Sequence, residues 1–127
     1  MPHFAQILED RGVLLADGAV GTNFQDMGIA PGVAGEEWVF DAPGQVTTLH
    51  RRFADAGCDL VLTCSFGGSS VRLEDGPLAG RARELNTRAA EIARAAVGDD
   101  ILVAGSMGPT GQLAEPFGPL TRDACLL

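Results

Sequence analysis

Three short uninterrupted apolar runs, Val13-Leu14-Leu15-Ala16, Leu60-Val61-Leu62-Thr63 and Ile101-Leu102-Val103-Ala104, punctuate the chain. Runs of this length without polar alternation predict parallel strands covered on both faces. Between them the spacing changes to that of helices. Val46, Leu49 and Phe53 share one face of a helix that Asp41 can cap, with Pro43 in its first turn and Gly57 as its stop. His50 lies beside that stripe. Leu78, Ala82, Leu85, Ala89, Ile92 and Ala96 mark a second amphipathic helix, stopped by Gly98, with Glu84 four residues before Arg88 on its polar side. Residues 28–37 and 66–76 are rich in Gly, Pro, Ser or acidic residues and read as loops.

Buried strands alternating with amphipathic helices predict an α/β fold of βα repeats with right-handed crossovers, either an open doubly wound sheet or a barrel. A closed (β/α)8 TIM barrel needs about 250 residues. The 127 residues here match about three of its βα units, and a hydrophobic fraction of 46% suits one globular domain.

Charge and composition narrow the chemistry. Asp and Glu number 17 against 9 basic residues, a net charge of -8 that repels a phosphate backbone or an anionic membrane surface. Nucleic acid and membranes are therefore poor partners. Every basic residue is Arg, so Schiff-base chemistry and a P-loop both lack their lysine. Cys58, Cys64 and Cys125 form an odd set without C-x-x-C spacing, which predicts free thiols in a reducing cytoplasm. Neither a secretory signal nor a membrane span is legible. Gly105, Gly108 and Gly111 miss the dinucleotide fingerprint, and the stretch from Gly67 to Val71 misses the serine-hydrolase elbow.

Parallel βα folds bind ligands at the carboxyl ends of their strands. Here those ends are small and polar: Asp17-Gly18-Ala19, Thr63-Cys64-Ser65 and Gly105-Ser106-Met107. Asp17, Gly18, Thr63, Ser65 and Gly105 are thus the candidate substrate-binding residues, predicted to line one cleft. Asp17 either pairs with a substrate ammonium group or caps a helix over residues 19–27. Thr63 and Ser65 either donate to a substrate carboxylate or serve only the strand end. Cys64 reads as a small buried hydrophobe rather than a nucleophile, and His50 and Cys58 read as packing residues. No residue qualifies as catalytic or as a metal ligand.

At these same strand ends the chain resembles the homocysteine S-methyltransferase family. The matching blocks are Leu15-Ala16-Asp17-Gly18-Ala19-Val20-Gly21-Thr22, His50 through Ala56-Gly57-Cys58-Asp59, Leu62-Thr63-Cys64-Ser65-Phe66-Gly67-Gly68-Ser69, and Ala104-Gly105-Ser106-Met107-Gly108-Pro109-Thr110-Gly111. The resemblance implies a TIM barrel that methylates the thiol of homocysteine to form methionine. Asp17 and Gly18 then map to positions holding the amino-acid end of homocysteine, and Thr63 to a residue near the substrate.

It also implies zinc, because a thiol of pKa about 8.5 is largely protonated at neutral pH and the metal holds sulfur as thiolate. The family's three zinc cysteines map to segments after Leu127. Residues 1–127 are therefore expected to be the N-terminal portion of a homocysteine-binding domain, inactive alone. Its partners would be homocysteine, a methyl donor and a folate or cobalamin domain of a longer protein. The rival readings are a non-catalytic remnant or interaction module and a small phosphate-binding α/β domain.

Overall fold

The structure, a computed structural model, describes residues 4–125; His3, Leu126 and Leu127 lie outside them. Two parallel strands, β1 (Leu60–Leu62) and β2 (Leu102–Ala104), pair Leu60 with Leu102, Val61 with Val103 and Leu62 with Ala104. The helices are α1 (Phe4–Arg11), α2 (Val20–Asp26), α3 (Trp38–Asp41), α4 (Pro43–Asp55), α5 (Ser70–Leu73), α6 (Ala82–Val97) and α7 (Arg122–Cys125). A parallel pair cannot be closed by a tight turn, and α6 supplies the crossover between β1 and β2.

The first apolar run differs from expectation. Residues 13–16 make no strand and only one parallel bridge, Ala16 with Leu60. The Asp59 amide donates to the Leu15 carbonyl at 2.7 Å, and the Asp17 amide to the Leu60 carbonyl at 3.0 Å. There the ladder stops, because the Leu62 amide donates to both oxygens of the Asp17 carboxylate, at 3.1 Å each, rather than to a main-chain carbonyl. At the other end Asp59 accepts from the Leu15 amide at 2.9 Å and pairs with Arg11. Val13 and Leu15 remain 78% and 60% exposed, so no covering layer meets this segment among the described residues.

The second and third runs do form the sheet. Val61 is fully buried with Ala93 of α6 and Cys58, against Phe53, Val97, Ile101 and Val103. A larger cluster gathers Phe24, Val39, Val46, Leu49, Leu85 and Ala89 between α2, α3, α4 and α6. Phe53 touches both clusters and so joins the sheet to the helical layer. Burial of each such Leu or Phe contributes about 1.5–3 kcal/mol.

Both predicted amphipathic helices are present, with local corrections, the first being that Leu78 of the second stripe lies in a turn before α6. Asp41 ends α3 rather than capping α4; Ala42 occupies the cap without a side-chain bond, and Pro43 starts the helix, where a missing N–H costs nothing. Glu84 pairs with Arg81 at 2.9 Å rather than with Arg88, whose guanidinium instead lies over the Phe40 ring, 5.4 Å from its centroid. Gly57 and Gly98 follow the two helices with φ of 93° and 68°, which glycine adopts without steric cost. No helix among the described residues is long and apolar enough to cross a membrane.

His50 is 1% exposed on α4, and neither ring nitrogen has a hydrogen-bond partner. Burial holds its pKa below the ordinary imidazole value, so the folded chain keeps the ring neutral. The unfolded chain takes up a proton below about pH 6.5, whereas the folded one does not until lower pH. Stability is therefore full above that pH and falls as pH drops from it toward the lowered folded value. His50→Leu removes two unsatisfied polar atoms and is expected to leave stability at pH 7 unchanged or raise it by up to about 2 kcal/mol. It should also flatten the pH 6.5 to 5 limb; urea unfolding across that range checks both outcomes.

Candidate functional site

The carboxyl ends of residues 13–16, β1 and β2 meet at one end of the sheet, where two depressions adjoin. The first, about 370 Å³, is lined by Asp17, Gly18, Glu36, Thr63, Ser65 and Ser106 among others. The second, about 470 Å³, holds Gly105 and shares Thr63, Ser65, Phe66 and Ser106 with the first. Four of the five sequence-predicted residues, Asp17, Gly18, Thr63 and Ser65, line the first depression; Gly105 lines only the second, so the expectation of one cleft is met in part. Thr63, Ser65 and Ser106 form the ridge between the two.

That ridge is a closed hydrogen-bond circuit. The Ser65 hydroxyl donates to the Ser106 carbonyl at 2.9 Å, and the Ser106 amide donates to Thr63 Oγ1 at 3.0 Å. Thr63 Oγ1 and Ser65 Oγ lie 2.7 Å apart; because the Ser65 proton is committed, Thr63 is the donor between them. Both hydroxyl protons are therefore used inside the protein. The role foreseen for them, donating to a substrate carboxylate, is not available without breaking the circuit, and both side chains are almost fully buried. They tie β1 to the segment after β2.

Asp17 is not a helix cap. Residue 19 occupies the cap of α2 with φ of 51° and no side-chain bond, while the Asp17 carboxylate turns to the Leu62 amide. A left-handed Ala costs about 1–2 kcal/mol, strain stored beside the cleft. Burial raises the Asp17 pKa, and the Leu62 amide opposes that shift. Cβ atoms built on Gly18 and Gly105 would meet nothing within 4 Å, so these glycines leave open space. Gly68 and Gly108 are different: a Cβ there would come within 2.9 Å of the Ser65 carbonyl and 2.6 Å of the Phe66 carbonyl.

Glu36 was missed from the sequence. It follows Gly35 in a 3-10 turn (Gly35–Glu37), and its Oε1 accepts from the Gly67 amide at 2.6 Å. The Cys64 thiol donates to the Gly35 carbonyl at 3.4 Å, so the turn is fastened twice to the loop after β1. Only tertiary proximity, not spacing, brings Glu36 to the cleft. Ser106 carried a weak signal, since it directly follows Gly105 at a strand end.

Burial, with Glu36 adding to it, pushes the Cys64 thiol up to about 12. Burial and then Asp17 raise Cys58 as well. Burial thus disfavours the thiolate at both, which is the form that zinc takes. No group of three or more His, Cys, Asp or Glu is gathered to hold a metal among the described residues. Cys58 and Cys64, both buried, are the cysteines nearest the cleft, and no third ligand joins them among the described residues.

The model of the family described as homocysteine S-methyltransferase matches residues 14–125. Methionine synthase of Mycobacterium leprae is 36% identical over 114 residues, covering 80% of this chain and 9% of that protein. Methionine synthase of Mycobacterium tuberculosis is 33% identical over 114 residues, with coverage of 80% and 10%. The homocysteine methyltransferase MmuM from Escherichia coli in its metallated form has a similar fold, with a TM-score of 0.73 at 24% identity over 83% of this chain and 41% of MmuM. Its oxidized form gives 0.74 at 24% identity, with coverage of 83% and 40%. The chain spans at most 10% of the length of these methionine synthases and 41% of MmuM.

Two outcomes follow from this geometry. Thr63→Val and Ser65→Ala should each cost about 1–3 kcal/mol, because the first strands the Ser106 amide and the second the Ser106 carbonyl and the Thr63 hydroxyl proton; denaturant midpoints check both. In the folded chain a thiol-alkylating reagent should modify exposed Cys125 and spare Cys58 and Cys64 until denaturant is added. Peptide mass spectrometry reads this directly.

Proposed function

Because the chain belongs to the homocysteine S-methyltransferase family, we propose that it forms the N-terminal portion of a TIM-barrel domain that transfers a methyl group to the thiol of homocysteine, giving methionine. The observation that carries this reading is the cleft at the strand ends, where Asp17 and Gly18 face Thr63 and Ser65 inside the family-matched region. Asp17 accepts the substrate ammonium group in a charge-assisted hydrogen bond, with the open space at Gly18 admitting the amino-acid end. Thr63 and Ser65 hold the wall in place through their circuit. Gly105 leaves the adjoining depression open for the rest of the reacting pair.

The methyl donor and any folate or cobalamin domain belong to a longer protein in this proposal. A cytoplasmic setting suits the free thiols of Cys58 and Cys64. Zinc would have to be held by residues other than those described.

The test is methionine formation by the longest reading frame that contains these residues, supplied with zinc and, in turn, methylfolate with cobalamin, S-methylmethionine and betaine. Turnover with any of them supports the proposal; no homocysteine consumption with all of them refutes it and favours an interaction module. Within an active protein, Asp17→Asn keeps an oxygen for the Leu62 amide but loses the charge. It should therefore weaken homocysteine binding by about 1.5–3 kcal/mol at little cost in stability. Asp17→Ala should lose both.

A further inference from the structure

Ser106 joins the ridge circuit through its main chain alone. In the 370 Å³ cleft the Thr63, Ser65 and Cys64 protons go to Ser65 Oγ, the Ser106 carbonyl and the Gly35 carbonyl. The Ser106 hydroxyl has no hydrogen-bond partner among the described residues, so its proton is the side-chain donor left over in that lining. Its backbone is held on three sides. The amide is bonded to Thr63 Oγ1, the carbonyl accepts from Ser65, and two residues on the Gly108 amide donates to the Phe66 carbonyl at 2.9 Å. The half-buried side chain thus has its place set before any ligand arrives.

The charges on its two sides differ. Asp17 and Glu36 line the first depression, whereas no Asp, Glu or Arg lines the second. Arg72 lines neither; it borders a separate depression with Glu36 and Glu37. An amino-acid zwitterion lying across the ridge therefore has its ammonium group drawn to the first depression and its carboxylate pushed toward the second. Ser106 lines both. With no guanidinium in either lining, a hydroxyl can supply the charge-assisted bond that the carboxylate needs. From this arrangement we propose that Ser106 Oγ donates to the substrate carboxylate and makes the site selective for an α-amino acid thiol over an aminothiol without the carboxylate. The inference rests on the reading of the first depression as the seat of the substrate ammonium group, and it adds to that reading a residue and the selectivity it confers.

The experiment measures calorimetric binding of homocysteine and of 3-aminopropane-1-thiol, its analogue lacking the carboxylate, to the longest reading frame that contains these residues and to its Ser106→Ala variant. Alanine removes the free hydroxyl and leaves the main-chain bonds of the ridge in place. The parent should bind homocysteine at least about tenfold more tightly than the analogue. Ser106→Ala should lose about tenfold in homocysteine affinity while binding the analogue as before. Equal weakening of both ligands, no change in either, or a parent that binds the two alike overturns the inference while the reading of the first depression stands. A parent that binds neither ligand overturns the reading and the inference together. Should Ser106→Ala unfold, or the analogue bind too weakly to measure, the Ser106 Cβ resonance of the parent decides. It should move on adding homocysteine and not on adding the analogue, and no movement with homocysteine overturns the proposal.

Discussion

The bond from the Leu62 amide to the Asp17 carboxylate is the constraint on which the rest of the site depends. A buried or half-buried amide at the end of a strand must find an acceptor, and leaving it unpaired costs about 1–3 kcal/mol. In a continued parallel ladder that acceptor would be a main-chain carbonyl of the first segment. Here the side chain takes the place of the carbonyl. The main chain after Asp17 is thereby released from the sheet, turns through the left-handed Ala19 and enters α2.

A similar substitution recurs along the strand ends. The Ser106 amide goes to the Thr63 hydroxyl, and the Gly67 amide goes to Glu36. Side-chain oxygens thus replace carbonyls where the regular sheet gives out, and each replacement leaves a polar side chain fixed at the rim. The two hydroxyls end with their protons spent, whereas the two carboxylates end with lone pairs to spare. That imbalance arises from satisfying the backbone rather than from any arrangement legible residue by residue.

This explains which parts of the structure were legible in the sequence. The α4 and α6 stripes were plain because helix periodicity reports one buried face, and Val46, Leu49, Leu85 and Ala89 are buried as their spacing predicts. The meeting of the strand ends was also legible, since parallel βα topology brings them to one edge of the sheet, but Gly105 lines the depression adjoining that of Asp17 rather than the same one. The strand at residues 13–16 was overread: an apolar run reports a tendency to be covered, and Val13 and Leu15 have no covering layer among the described residues. Glu36 and the Thr63 circuit were hidden because they depend on contacts spanning 31 and 43 residues of sequence. The choice for Asp17 between capping and ligand binding omitted the role it has, since a carboxylate bonded to a neighbouring strand's amide leaves no trace in local spacing.

The same polar inventory separates recognition from activation in the proposed reaction. Deprotonating a thiol of pKa about 8.5 with a carboxylate of pKa about 4 is uphill by roughly 4–5 pKa units, or about 6 kcal/mol. Burial raises Asp17 and narrows that gap, but the shift is opposed by the Leu62 amide. Cys58 and Cys64 are themselves held protonated, and His50 is sealed in the helical core without a route to the cleft surface. In the proposed function Asp17 is therefore suited to holding a charged amino group still, and poorly suited to taking the proton from sulfur. The two tasks call for opposite environments, since a carboxylate wall that attracts the ammonium group also disfavours a thiolate placed beside it. In the proposed reaction, holding the sulfur away from Asp17 would let one end of the substrate be gripped by negative charge while the other acquires it.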